Sequence, residues 1–478
     1  MRKKTQSRHI IMMLIFTAIV LTLSACAVKD GPLPTEVGEI TTEPDLQKVL
    51  LLEDDQKTRE WQVFKDDIYG LYGFKDRNGA IVIEPKYREA ENFQGGRAMV
   101  KVASDKYMGI LEGGVYGLID PDDAFVVEPS GLITRVDSWH YLYAKGDDYF
   151  AGYGVDETSI MKRTLLNAEG EPLGDQRFYY VEALNDDCYL ANIGTKSIFI
   201  NAEGAVLTDF PEFNFAATAR LEGDAFMIMP LDDTSGRIQF TLSIDGRTLE
   251  QKNKTLTLTE GVTYELAVLS PYIGNTVIYP VLTMNDVSLQ EKMNQALQSI
   301  ATESVWALDI YGEAFDDYET LERIDMTVVN ELNVLLNNHL LNVEAMGYFY
   351  GFGAAHPNSF QSTEYIDFHT GETLTLESLF KEGGDWRMAI VKEIDRQFMA
   401  DEDAYLFIEK AEPESDRLDA FYDAHFEITF GPETLSVYFP VYEIAPYAAG
   451  VPTYEMAYEV LEGYFDRESA FFKAIYRE

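Results

Sequence analysis

The chain has 478 residues, 46% of them hydrophobic and 13% aromatic, so it can bury real cores and is not a disordered acidic tail. Against 38 Lys and Arg stand 81 Asp and Glu, a formal net charge of −43, which excludes nucleic-acid binding by phosphate neutralisation. Such acidity serves solubility or steers cationic partners to the surface, and a chain of this length is expected to form two or three domains.

The first element is an export signal. Arg2, Lys3, Lys4 and Arg8 precede a run from Ile10 to Leu23 that is apolar except for Thr17 and Thr22. As a helix this run reaches about 21 Å, short of the roughly 30 Å needed to span a bilayer core. Leu23-Ser24-Ala25-Cys26 resembles the bacterial lipobox. The resemblance implies a signal peptide over residues 1–25, a diacylglycerol on the Cys26 sulfur and an acylated mature N-terminus. Several acyl chains anchor stably where one binds only marginally. An ordinary secretory signal is the alternative. With Cys26 lipidated, Cys188 has no disulfide partner and reads as a small buried hydrophobe. Residues 26–59, with Pro32, Pro34 and Pro44, are expected to be a tether interrupted by a short helix near 45–52.

From residue 60 to 252 the pattern repeats. Tyr72-Gly73 through Glu84-Pro85 returns 44 residues later as Tyr116-Gly117 through Glu128-Pro129, with the same internal spacing. Each copy reads as a strand, a tight polar turn, a β-branched strand and a proline stop. Degenerate copies follow around Gly170, Gly204 and Gly246. Pro85-Lys86-Tyr87 and Phe93-Gln94-Gly95-Gly96-Arg97-Ala98 complete the first unit, and this segment resembles the bacterial WG-repeat family, with Tyr-Gly in place of Trp-Gly. The resemblance implies a binding or scaffold module and carries no catalytic residue.

Residues 253–478 read as an α+β domain, so the fold class is multidomain: an all-β array of WG-type hairpin repeats followed by α+β. Strands are predicted over Leu256 to Leu269 and Val277 to Leu282, then a helix with Leu289, Met293, Leu297 and Ile300 on one face and a Ser288/Glu291 capping box. A hairpin is expected at Asn337-Asn338, a second helix from Asp385, and two closing strands near 426–430 and 435–439. Tyr350-Gly351-Phe352-Gly353-Ala354-Ala355-His356-Pro357-Asn358 and Tyr442-Glu443-Ile444-Ala445-Pro446-Tyr447-Ala448-Ala449-Gly450 are similar to two signatures of one family. That family is the domain of unknown function at the extracellular end of the sigma-V anti-sigma factor, a lysozyme receptor, which also accompanies the catalytic domain of some peptidoglycan deacetylases. The cytoplasmic sigma-binding segment of the anti-sigma factor has no counterpart here, so sigma-factor inhibition is not implied.

The sequence holds no His-Glu-x-x-His, Gly-x-Ser-x-Gly, P-loop or Cys-x-x-Cys motif. Ser159-Ile160-Met161-Lys162 matches Ser-x-x-Lys but lacks its companion motifs. His356, His369 and His425 share one domain yet show no ligand spacing, and the aspartates at 66, 67, 76, 120, 122 and 123 lack a Ca²⁺ loop, so no metal or other cofactor is expected. For the two loops, structural roles compete with ligand contact. In the ligand reading Tyr442 and Tyr447 stack, Glu443 accepts hydrogen bonds or pairs with a cation, and His356 and Asn358 border the surface. The expectation is a non-enzymatic, lipid-anchored envelope protein on the extracytoplasmic face of the membrane. It would bind a cationic, muramidase-like protein or peptidoglycan; an accessory enzyme acting on wall polymers is the alternative.

Overall fold

The computed structural model describes residues 46–103, 114–146, 160–231, 233, 236–271, 274–303, 323–324, 326–351 and 354–476. The leader, Cys26, most of the expected tether and Ser159 lie outside the described residues. The chain is multidomain and strongly β-rich, with several antiparallel sheets and few helices.

The 44-residue period is reproduced as backbone register. Tyr72, Phe74 and Lys75 face Tyr87, Ile83 and Ile81, while Tyr116, Leu118 and Ile119 face Gly131, Val127 and Phe125. In both ladders the register shifts at the glycine of the Tyr-Gly pair. A Cβ on Gly73 would stand 2.5 Å from the Ile83 carbonyl oxygen, and one on Gly117 2.9 Å from that of Val127. The glycine is therefore needed because the neighbouring strand bulges into its space.

The turns share one construction. The Asp76 carboxylate accepts from the N–H groups of Asn78 and Ala80, and Asp120, Asn167 and Asn201 do the same for the residues two and four further on. At Ser243 a longer variant appears, closed by the Thr248 N–H. Asp123, where the first copy has Gly79, adopts φ 64°. Each later turn sits on the preceding unit. Asp123 bonds Lys86 and Tyr87, and added Cβ atoms at Gly170, Gly204 and Gly246 would strike Val126–Val127, Leu173 and Phe210.

The sheets do not coincide with the repeat units: Gln62–Lys65, Tyr72–Lys75 and Ile81–Tyr87 form a three-stranded sheet of their own. Strands from Glu89–Ala90 to Pro172–Phe178 join in one seven-stranded antiparallel sheet, followed by smaller meanders over 180–200 and 217–251. Helix α1 (Leu46–Thr58) is longer than expected and docks on the first two units. Leu51 enters the core with Met99, Leu118 and Tyr141, and Asp54 pairs with buried Arg97.

In the second half, seven strands from Leu256–Thr259 to Glu372–Leu374 form a mixed sheet. Its one parallel pair, Asn275–Thr283 with Met326–Asn337, brackets helix α2 (Val287–Glu303). Met293, Leu297, Ile300 and Ala301 of α2 pack on Val277, Leu332, Leu341, Val343 and Ile366. The helix start differs from expectation: Asp286 caps the Leu289 N–H at 3.1 Å, and Gln290 reaches back to the Met284 N–H. Asp286 wins over Ser288 because its carboxylate lies ahead of the first helical residue, where the open N–H groups begin.

The opposite sheet face carries Leu340 and Tyr365 into a second core. Helix α3 (Trp386–Ala400) begins one residue after the expected start at Asp385, which caps it, and supplies Ile390, Val391, Ile394 and Phe398. Helix α4 (Glu414–Asp423) and helix α5 (Ala470–Tyr476) complete the layer. The two expected strands, Glu427–Phe430 and Thr434–Tyr438, gain a third, Thr453–Ala457. Buried Asn342 locks this small sheet to the large one, exchanging hydrogen bonds with the backbone of Phe430.

Candidate functional site

The two loops singled out in the sequence come together. The first leaves the strand Leu340–Gly351, turns through the Ala354 N–H to the Gly351 carbonyl, and returns as the strand Asn358–Asp367. The second follows Thr434–Tyr438 and turns at Pro440, whose carbonyl accepts from the Glu443 N–H. Ile444 and Ala445 are buried, while Tyr442 and Tyr447 on either side remain 47% and 36% exposed. Buried anchors thus hold two aromatic rings at the surface.

His356 completes the group. Its ring stacks on Tyr447 with centroids 4.5 Å apart, and Tyr442 lies 5.8 Å from Tyr447. Nδ1 of His356 is 2.9 Å from the Pro357 carbonyl and donates to it, so Nε2 accepts from the Tyr442 hydroxyl at 3.3 Å. Tyr442 holds φ 69°, a left-handed conformation that costs a side-chain-bearing residue about 1–3 kcal/mol and is most often kept where a site requires it.

Glu443 adjoins Tyr442 in the chain. Glu443 accepts from the His425 N–H at 2.7 Å, which ties the second loop to the start of Glu427–Phe430. His425 Nε2 donates to Glu427 at 2.9 Å, and this hydrogen bond raises the imidazole above its usual range. Burial raises the Glu364 carboxyl, and the charges of Glu427 and Glu303 raise it further. Asn358 opens the returning strand paired with Phe349.

Among the described residues no group of three or more His, Cys, Asp or Glu is placed to hold a metal ion, and the neighbour of His369 is the ring of His339 at 5.9 Å. What the arrangement offers is stacking, hydrogen bonding and negative charge. Sequence reasoning missed Tyr405 and Phe407, which are 67% and 57% exposed. Phe407 belongs beside the site, since its N–H bonds the carbonyl of Ile444. Two aromatic residues in the acidic stretch Asp401-Glu402-Asp403-Ala404-Tyr405-Leu406-Phe407 were the available signal.

No curated protein matches the chain. Among solved structures it is similar to a DUF3298 family protein from Pseudomonas aeruginosa PAO1, at 16% identity over 40% of this chain and 85% of that one, with a TM-score of 0.28. It is also similar to a DUF3298 member from Bacteroides fragilis NCTC 9343, at 17% identity, 48% and 96% coverage and a TM-score of 0.30. A third likeness is Kluyveromyces lactis Hsv2p, at 8% identity, 65% and 96% coverage and a TM-score of 0.24. Family models place a WG containing repeat at residues 72–107 and a domain described as a protein of unknown function, DUF3298, at 377–459, the stretch that includes Tyr442, Glu443 and Tyr447.

Proposed function

We propose that this chain is a lipid-anchored binding protein on the extracytoplasmic face of a bacterial membrane, without catalytic activity, and that the surface around Tyr442 and Tyr447 captures a cationic protein of the muramidase kind. The observation that carries this reading is the convergence of His356, Tyr442 and Tyr447 into one exposed aromatic cluster, with the Glu443 carboxylate next to Tyr442 in the chain. Aromatic rings supply rigid contact area for few side-chain rotors, and carboxylates beside them pair with Lys or Arg of a partner. A net charge of −43 steers basic proteins toward the chain and turns acidic ones away. Cys26 would hold the chain at the membrane.

The test is capture of hen egg-white lysozyme by the full chain. Binding is expected to weaken with rising salt and to fall in Tyr442→Ala and Tyr447→Ala. Equal capture by an unrelated acidic protein of matched charge would reduce the effect to bulk electrostatics and sink the proposal. Incorporation of labelled palmitate, lost in Cys26→Ser, tests the anchor.

A further inference from the structure

The tyrosines of the two Tyr-Gly pairs pack against the core without being sealed in it. Tyr72 and Tyr116 are half-buried walls of one cleft of about 360 Å³ between the first two β units, with Met99 behind them and Glu89 and Glu91 at its edge. That volume falls within the roughly 300–1,000 Å³ of small-molecule sites. In the later units, the position four residues ahead of the turn residues Asn167 and Asn201 is Arg163 and Ser197. The aromatic residue is thus kept in the two units that share the cleft and absent from the next two, so the fold itself does not demand it.

The charges in the cleft are matched within the protein. Lys101, whose side chain is 2% exposed, donates to Glu89 at 2.9 Å, and the Tyr116 hydroxyl donates to the other oxygen of the same carboxylate at 2.9 Å. Glu91 lies 3.5 Å from the Arg135 guanidinium, whose side chain is 11% exposed. The Lys101 ammonium also stands 5.3 Å from the Tyr116 ring centre, and that of Lys65 stands 5.2 Å from the Tyr72 ring. A cationic ligand would find its place beside these rings taken by lysines and its counter-charges neutralised. A polyhydroxylated ligand without charge would find two aromatic faces, and two half-exposed carboxylates with acceptor capacity to spare.

We propose that this cleft binds a neutral saccharide, with Tyr72 and Tyr116 stacking against pyranose faces and Glu89 and Glu91 accepting from hydroxyl groups. The site is separate from the Tyr442–Tyr447 surface, so each proposal stands or fails without the other.

Calorimetric titration of the full chain with chitotetraose, a neutral β-linked glycan, tests it, with tetralysine titrated in parallel. Saturable chitotetraose binding is expected, about tenfold or more weaker in Tyr72→Ala, close to unchanged in Tyr72→Phe, and unaffected by Tyr442→Ala. Circular dichroism melts of each variant establish that it is folded, and Tyr72→Leu, which keeps apolar bulk but removes the ring and is expected to weaken binding to the same extent, serves if Tyr72→Ala is not. The proposal is overturned by absence of saturable binding up to about 10 mM. It is equally overturned by undiminished binding in the folded Tyr72→Ala variant, or by a Tyr72-dependent response to tetralysine in place of the glycan.

Discussion

Replacing Gly73 by alanine tests whether the Tyr-Gly glycine is a steric requirement. Its backbone needs no left-handed conformation, so any cost comes from contact. The added Cβ would lie 2.5 Å from the Ile83 carbonyl oxygen and 2.7 Å from the Pro85 nitrogen, and ordinary van der Waals contact begins near 3.4 Å. Backbone on both sides must therefore separate by ~0.9 Å, and strand backbone gives far less readily than a side-chain tip. Overpacking of this order costs about 1–3 kcal/mol, to which loss of local ladder hydrogen bonds adds. Gly79→Ala is the internal comparison: its φ is +82° with nothing within 4 Å of the new Cβ, so it bears conformational strain alone, about 1 kcal/mol. Hydrogen exchange read by mass spectrometry over 72–87 measures local opening. Protection should fall about tenfold to a hundredfold in Gly73→Ala, less in Gly79→Ala, and less over 116–131 in Gly117→Ala, where the closest approach is 2.9 Å. If Gly73→Ala were no worse than Gly79→Ala, the bulge account of the repeat glycine would be wrong.

Three further outcomes are expected. Alanine at Tyr442 or Tyr447 should weaken lysozyme capture by about tenfold while moving unfolding stability by no more than about 0.5–1 kcal/mol, because both rings are substantially exposed; equal losses in binding and stability would mark them as structural. NMR titration should place the His425 imidazole above 6.5, and Glu427→Gln should bring it back down. Because the folded value is raised, the contribution of this pair to stability is full below the unfolded value and fades as pH rises through the folded one; an unmoved resonance in Glu427→Gln would remove Glu427 as the cause. Asn275 is 3% exposed and neither side-chain polar atom has a hydrogen-bond partner among the described residues, so Asn275→Leu should raise stability by about 1–3 kcal/mol, and a lower melting temperature would contradict that assignment.

Local features of the fold were open to reading from the chain, and pairings across long separations were not. Identical spacing in two repeat copies became identical register, since a turn of fixed construction sets which residues face each other. Asn337-Asn338 makes the expected hairpin because Asn338 accepts φ 51°. By contrast, no periodicity reveals that Ile160–Met161 pairs with Arg323–Ile324, or that Asn275–Thr283 lies parallel to Met326–Asn337. Helix α4 escaped notice for a different reason. Its buried face includes Arg417, whose guanidinium makes two hydrogen bonds to Asp395 of α3, so an arginine stands where apolar periodicity expects a hydrophobe.

The candidate site was half legible. The two loops stood out as residue patterns, but patterns 86 positions apart, such as His356 and Tyr442, do not declare that they meet. That contact follows from the small sheet docking on the large one through Asn342 and Phe430, an event between domain layers. Nor does a sequence separate an exposed tyrosine from a buried one: Tyr365 and Tyr442 belong to the same domain, yet one is sealed in the core and the other faces solvent. The deciding element is the buried pair Ile444 and Ala445, which fixes the backbone between two outward rings. A surface ordered in advance loses little conformational freedom when a partner arrives, so its aromatic area goes into contact instead of ordering. The strained φ of Tyr442 belongs to the same economy of structure: a loop relaxed into its most comfortable conformation would turn that ring away from Tyr447 and His356, and the cluster would not exist.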